Sequence, residues 1–154
     1  MTERRTGVAR VCALLNAERA RYVVVGATAM QLWGTSRSTR DIDILIDPTL
    51  DNAERVLRAL SALPFGVASE IHPSELLSRH VTMIGDSPNV DVLTRAWNLR
   101  WDDAQRGIAV FDIEAVPVPT VSIDNLIISK QTGRPQDVAD VLVLETLRRH
   151  RDHD

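Results

Sequence analysis

The run Asp41-Ile42-Asp43-Ile44-Leu45-Ile46-Asp47 holds the most regularly spaced reactive side chains in this 154-residue chain. In an extended strand, residues i and i+2 project to one face. Asp41 and Asp43 therefore stand together, while Ile42, Ile44 and Ile46 take the core side. Two neighbouring carboxylates repel each other at neutral pH, and no basic residue at matching spacing neutralises them. A divalent cation relieves that repulsion. Mg²⁺ takes one or two carboxylates and fills its remaining positions with water and phosphate oxygens. Two such ions, about 3.5–4 Å apart, can clamp the attacking and leaving oxygens of an in-line phosphoryl displacement. Taken alone, Asp-x-Asp reads equally well as the solvated side of a half-exposed strand, so its setting has to decide.

Two further features supply a setting. Val23-Val24-Val25-Gly26-Ala27-Thr28-Ala29 is a β-rich run leading straight into a glycine and a helix. Lacking a Cβ, Gly26 lets backbone approach a ligand, and the N–H groups that open a helix can bind phosphate; a plain tight turn is the alternative. Asp91 sits in Asn89-Val90-Asp91-Val92-Leu93, where Val90 and Val92 read as core and Asp91 takes the opposite face. If this strand neighbours the first, Asp91 joins the pair and can orient or deprotonate an acceptor hydroxyl. Otherwise it is a buried or capping aspartate.

Gly26-Ala27, thirteen residues, then Asp41-Ile42-Asp43-Ile44 resembles the signature of the nucleotidyltransferase superfamily with the DNA polymerase β-like fold. Asp91 stands where that family has its third carboxylate, and the tail from Lys130 through Arg134 and Asp137 to Asp140 is similar to that of small stand-alone bacterial members. Some of those are related to toxins of toxin–antitoxin and abortive-infection pairs. The resemblance implies transfer of a nucleoside monophosphate from an NTP, with a two-ion Mg²⁺ site on Asp41, Asp43 and Asp91. It implies nucleotide contacts from Gly26, Ala27, Thr28, Arg37, Thr39, Arg40, Lys130 and Arg134, and a catalytic carboxylate near the acceptor at Asp137. Ala27 departs from the family's usual glycine or serine; its N–H remains, and Thr28 is the expected compensation for the missing hydroxyl. A tRNA end or a protein hydroxyl is the favoured acceptor, with an antitoxin-like partner or a homodimer completing the site. A non-catalytic nucleotide-binding regulatory or antitoxin-like module of the same fold is the alternative.

The remaining sequence has to position these groups. Thr6 caps a helix to about Glu18 with Val8, Val11, Cys12 and Leu15 on one stripe. A strand at 22–25, a short helix ending near Gly34, a polar loop at 35–40 and the acidic strand follow. Residues 49–63 read as an amphipathic helix stopped by Pro64, and 80–84 with 89–93 as a hairpin. A polar helix is expected over 95–106, with Trp97 and Trp101 four apart on its core face rather than stacking on a base. Strands at 108–111 and 115–118 precede helices at 123–131 and 135–149, where Asp137 and Asp140 also suit the N-terminal dipole. This order predicts one α/β (α+β) domain over residues 1–154, a mixed sheet flanked by helices.

Composition agrees. The chain is 44% apolar and 25% charged, ordinary for a globular domain, and its net charge of −3 draws it neither to nucleic acid nor to anionic membrane. A lone cysteine, Cys12, excludes an internal disulfide and a cysteine-based zinc site, and suits a reducing cytoplasm. No apolar run reaches the length of a membrane span. Lys130 is the single lysine beside 17 arginines. An ammonium kept there suggests that a compact point charge is wanted against phosphate.

Overall fold

The computed structural model describes residues 6–35 and 41–152. Six strands form one mixed sheet: β1 Tyr22–Val25, β2 Asp41–Ile46, β3 Val81–Ile84, β4 Asn89–Leu93, β5 Ala109–Ile113 and β6 Val116–Thr120, in the order β3-β4-β2-β1-β6-β5. β1 and β2 are antiparallel, β2 and β4 parallel, and β3 and β4 form the expected antiparallel hairpin. All four residues of β1 are buried, so both faces of the sheet centre are covered.

Helix α1, Gly7–Ala17, opens on the Thr6 cap and buries Ala9, Val11, Cys12 and Leu15. Burial pushes the Cys12 thiol up to about 11, so it packs as an inert hydrophobe. Helix α2, Gly26–Leu32, begins at the glycine that ends β1 and packs on β1 and β2. Helix α3, Leu50–Leu60, buries Ala53, Val56, Leu57 and Leu60 against the core. Its fully buried Asn52 ties the sheet ends together: the amide accepts from Arg21 N at 2.7 Å and donates to the carbonyls of Arg21 and Asp47 at 2.8 and 2.9 Å. A 3₁₀ turn at Val67–Glu70 and helix α4, Pro73–Ser78, fill a stretch in which the sequence pattern shows no element. Helix α6, Ile123–Ser129, contacts α2 and α7, Pro135–Asp152.

The sequence expectation fails at 95–106. Helix α5 covers only Trp101–Ala104. Ahead of it, Ala96 and Leu99 exchange two backbone hydrogen bonds of 2.9 Å around a tight turn, and Trp97 adopts a left-handed φ of 58°. A helix cannot pass through that conformation, so the two tryptophans share no helical face. Trp101 joins the core, and Trp97 is 54% exposed.

Candidate active site

Register is what assembles the carboxylates. In the parallel β2–β4 pair, Asp41 lies opposite Asn89 and Asp43 opposite Asp91. Ile42, Ile44, Val90 and Val92 are buried between them in sequence, so Asp43 and Asp91 share the other face. That face is not open solvent throughout: Leu45, two residues beyond Asp43, is fully buried. Asp43 therefore lies at the edge of the core. Its carboxyl is pushed up to about 7, first by burial and then by the charge of Asp91, a hydrogen bond to it and the charge of Asp41; Lys130 opposes the rise. Asp91 is also raised, by burial and by Asp41, against the lowering effect of its bond to Asp43. Two carboxyls this close cannot both ionise cheaply, so the charged form of each is disfavoured.

Among the described residues, no three His, Cys, Asp or Glu side chains converge into a ready-made metal cage. The trio expected from the sequence stands instead as an Asp43–Asp91 pair with Asp41 beside it, because Asp41 faces Asn89 across the ladder and accepts from its Nδ2 at 3.3 Å. Such a donor set fits Mg²⁺, which needs one or two carboxylates and takes its other ligands from water and substrate.

Gly26 is held by contact as well as by its turn. Its φ is +64°, and a Cβ there would lie 2.2 Å from Oδ2 of Asp43. The turn from β1 into α2 is thus pressed directly against the acidic pair. Ala27 follows, half-buried. Thr28 turns inward: it is buried, and its hydroxyl donates to the backbone carbonyl of Asp41 at 3.2 Å. It positions the acidic strand, in place of the hydroxyl contact to phosphate expected from the sequence.

Lys130, at the end of α6, completes the near wall. Its Nζ stands 3.2 Å from Asp140 and 3.7 Å from Asp137, with all three side chains nearly buried. Asp137 also receives the Thr132 hydroxyl and Arg134 Nε, the latter at 2.8 Å. Burial alone would raise Asp137; Thr132, Arg134 and Lys130 outweigh it and hold the carboxyl low. Asp137 therefore stays ionised and fixes Lys130 and Arg134 beside the acidic pair. Asp140, expected to serve the helix dipole, shares that task. Arg37, Thr39 and Arg40 lie outside the described residues.

A cavity of about 470 Å³ gathers Gly26, Asp43, Asp91, Lys130, Arg134 and Asp137. Its far wall holds His80, Arg95 and Trp97, none of which the sequence reading placed there. The i, i+4 spacing of Trp97 and Trp101 imitates a helix face; only the turn at Ala96–Leu99 separates their roles.

The Thermotoga maritima protein TM1012, assigned provisionally as a nucleotidyltransferase, has the same fold with a TM-score of 0.54, at 17% identity over 94% of this chain and 90% of that one. No curated protein matches the chain in sequence. No helix among the described residues is long and apolar enough to cross a membrane. The profile of one family, described as "Nucleotidyltransferase of unknown function (DUF6036)", matches residues 9–150. The chain belongs to that nucleotidyltransferase family.

Proposed function

We propose that this protein is a Mg²⁺-dependent enzyme that moves a nucleoside monophosphate from an NTP onto a hydroxyl acceptor, releasing pyrophosphate. The observation that carries this reading is the Asp43–Asp91 pair, whose mutual repulsion and burial keep the acids in conflict, with the bare backbone of Gly26 pressed against it. A purely structural pair would not be left facing a cavity with its charges in conflict.

Asp43 and Asp91, with Asp41 adjoining, would hold the Mg²⁺, which when bound supplies charge neutralisation for the triphosphate. Lys130 presents an ammonium to the same cavity, held in place by Asp137 and Asp140. Gly26 keeps the near wall free of side chain. The ionised Asp91 carboxylate accepts the proton of the acceptor hydroxyl as its oxygen bonds to the α-phosphorus. The bond from that phosphorus to the bridging oxygen breaks, and pyrophosphate leaves with the electron pair.

The test is incubation with each of the four α-labelled NTPs, Mg²⁺, total RNA and total protein. Label in one pool, lost in Asp43→Asn and Asp91→Asn variants that melt as folded proteins, supports transfer. Calorimetric binding of Mg²⁺–NTP without pyrophosphate release from any pool would overturn it in favour of a non-catalytic binding module.

A further inference from the structure

Three tryptophans are present, and two are accounted for by packing. Trp33 donates to the Val121 carbonyl at 2.9 Å and meets Phe111 edge-on, and Trp101 is buried. Trp97 is different. It is more than half exposed, lines the cavity of the acidic pair, and sits in a left-handed conformation that is uncommon for a bulky residue. That conformation is held from two sides: the Ala96–Leu99 turn closes around it, and Arg95 Nε donates to its carbonyl at 2.6 Å. Nothing in the core requires a tryptophan there. A held, exposed indole beside reactive carboxylates is a stacking surface.

Its surroundings carry a direction. β4 lies between β2 and the edge strand β3, so Asp91 is the carboxylate nearest this wall, while Gly26 and Lys130 lie on the opposite, β1 side. A second cavity, of about 350 Å³, shares His80 and Arg95 with the first and extends to Arg100. A path therefore runs from Asp91 past Trp97 and Arg95 to Arg100, with Asp102 the one acid among the described residues lining its outer part. Arg95 and Arg100 thus give this outer stretch a local positive charge in a chain of net charge −3.

Resting on the transfer reading above, we infer that this groove is the acceptor site and takes the end of a single-stranded nucleic acid, its terminal base stacked on Trp97 and its phosphates running along Arg95 and Arg100. Base–aromatic stacking with a cationic track is the usual physics of single-strand binding. A polycationic acceptor such as an aminoglycoside meets the wrong sign of charge here. A protein hydroxyl gains nothing particular from an indole next to two arginines.

The experiment is fluorescence anisotropy of the whole protein with a labelled single-stranded RNA of about 12 nucleotides and its DNA equivalent, across a salt series. Transfer from α-labelled NTPs onto the same strands and calorimetric Mg²⁺–NTP binding are run alongside. Trp97→Ala should weaken strand binding about tenfold, and Trp97→Phe should restore it to within about twofold of wild type. Arg95→Gln with Arg100→Gln should lower the salt dependence by about 1.4 in log–log slope, at roughly 0.7 per lost single-strand phosphate contact. Strand binding that is absent, or indifferent to Trp97→Ala, overturns the groove and leaves nucleotidyl transfer standing. Strands bound through Trp97 beside an NTP that is never turned over would overturn the transfer reading, and with it the acceptor role, while the groove stands as a nucleic-acid site.

Discussion

Replacing Asp43 by asparagine should stabilise the metal-free protein at alkaline pH while removing its chemistry. The Asp43 carboxyl titrates at about 7 in the folded chain against an ordinary 3.8. At about 1.36 kcal/mol per tenfold change in proton affinity, its charged form is disfavoured by roughly 4 kcal/mol. Asp91 shares that penalty and water at the cavity mouth screens part of it, leaving about 2–4 kcal/mol for the neutral amide to recover. The sign follows from proton counting. Between pH 3.8 and about 7 the folded state holds a proton that the unfolded chain has released. The wild-type protein therefore loses stability as pH rises through that window, and the loss is complete above it. The amide of the Asp43→Asn variant has no proton to release over this range. Thermal melts in chelator should superimpose for the two proteins below about pH 4 and separate by roughly 5–15 °C at pH 8, at about 2–4 °C per kcal/mol for a chain of this size. Saturating Mg²⁺ should then narrow the gap from the wild-type side, by about 2.7 kcal/mol at a hundredfold excess over its Kd. A variant that melts below wild type at pH 8, or a gap independent of pH, would refute the picture of two carboxylates in unrelieved conflict.

Gly26→Ala places a Cβ on the Asp43 carboxylate and strains a left-handed turn; transfer should vanish and stability fall by about 1–3 kcal/mol, read from activity and chemical denaturation together. Lys130→Met removes the ammonium from Asp140 and leaves Asp137 with Thr132 and Arg134 alone, and urea titration should show a loss of about 1–3 kcal/mol. Thr28→Val removes the hydroxyl that holds the Asp41 carbonyl. A cost of about 1 kcal/mol is expected, with a lower kcat and little change in the KM for NTP if the residue acts only by placing the acidic strand.

Much of the site was legible because its parts sit in short, regular segments. The period of two in β2 and β4 shows which side of each strand carries Asp41, Asp43 and Asp91, and a glycine between a β-rich run and a helix marks the turn at 26. The stretch 95–106 imitates a helix for the converse reason, and only Trp101–Ala104 forms one. A pair four residues apart satisfies helical spacing, yet the local hydrogen bonds of Ala96 with Leu99 set the backbone there.

What the linear order of residues determined was which sides of β2 and β4 carry the carboxylates, the cap at Thr6, and the reactive groups available. What only the folded chain decided was which groups meet. The register that sets Asp43 against Asp91 and Asp41 against Asn89 arises from pairing strands 48 positions apart, and no local pattern encodes it. The same holds for Lys130, whose charge is anchored by Asp137 and Asp140 across the α6–α7 turn, and for Trp97, turned out beside the acidic pair. Side-chain periodicity is a property of the backbone nearby, whereas charge proximity and burial depend on the packing of distant segments, and that packing is settled only when the whole sheet closes over its core.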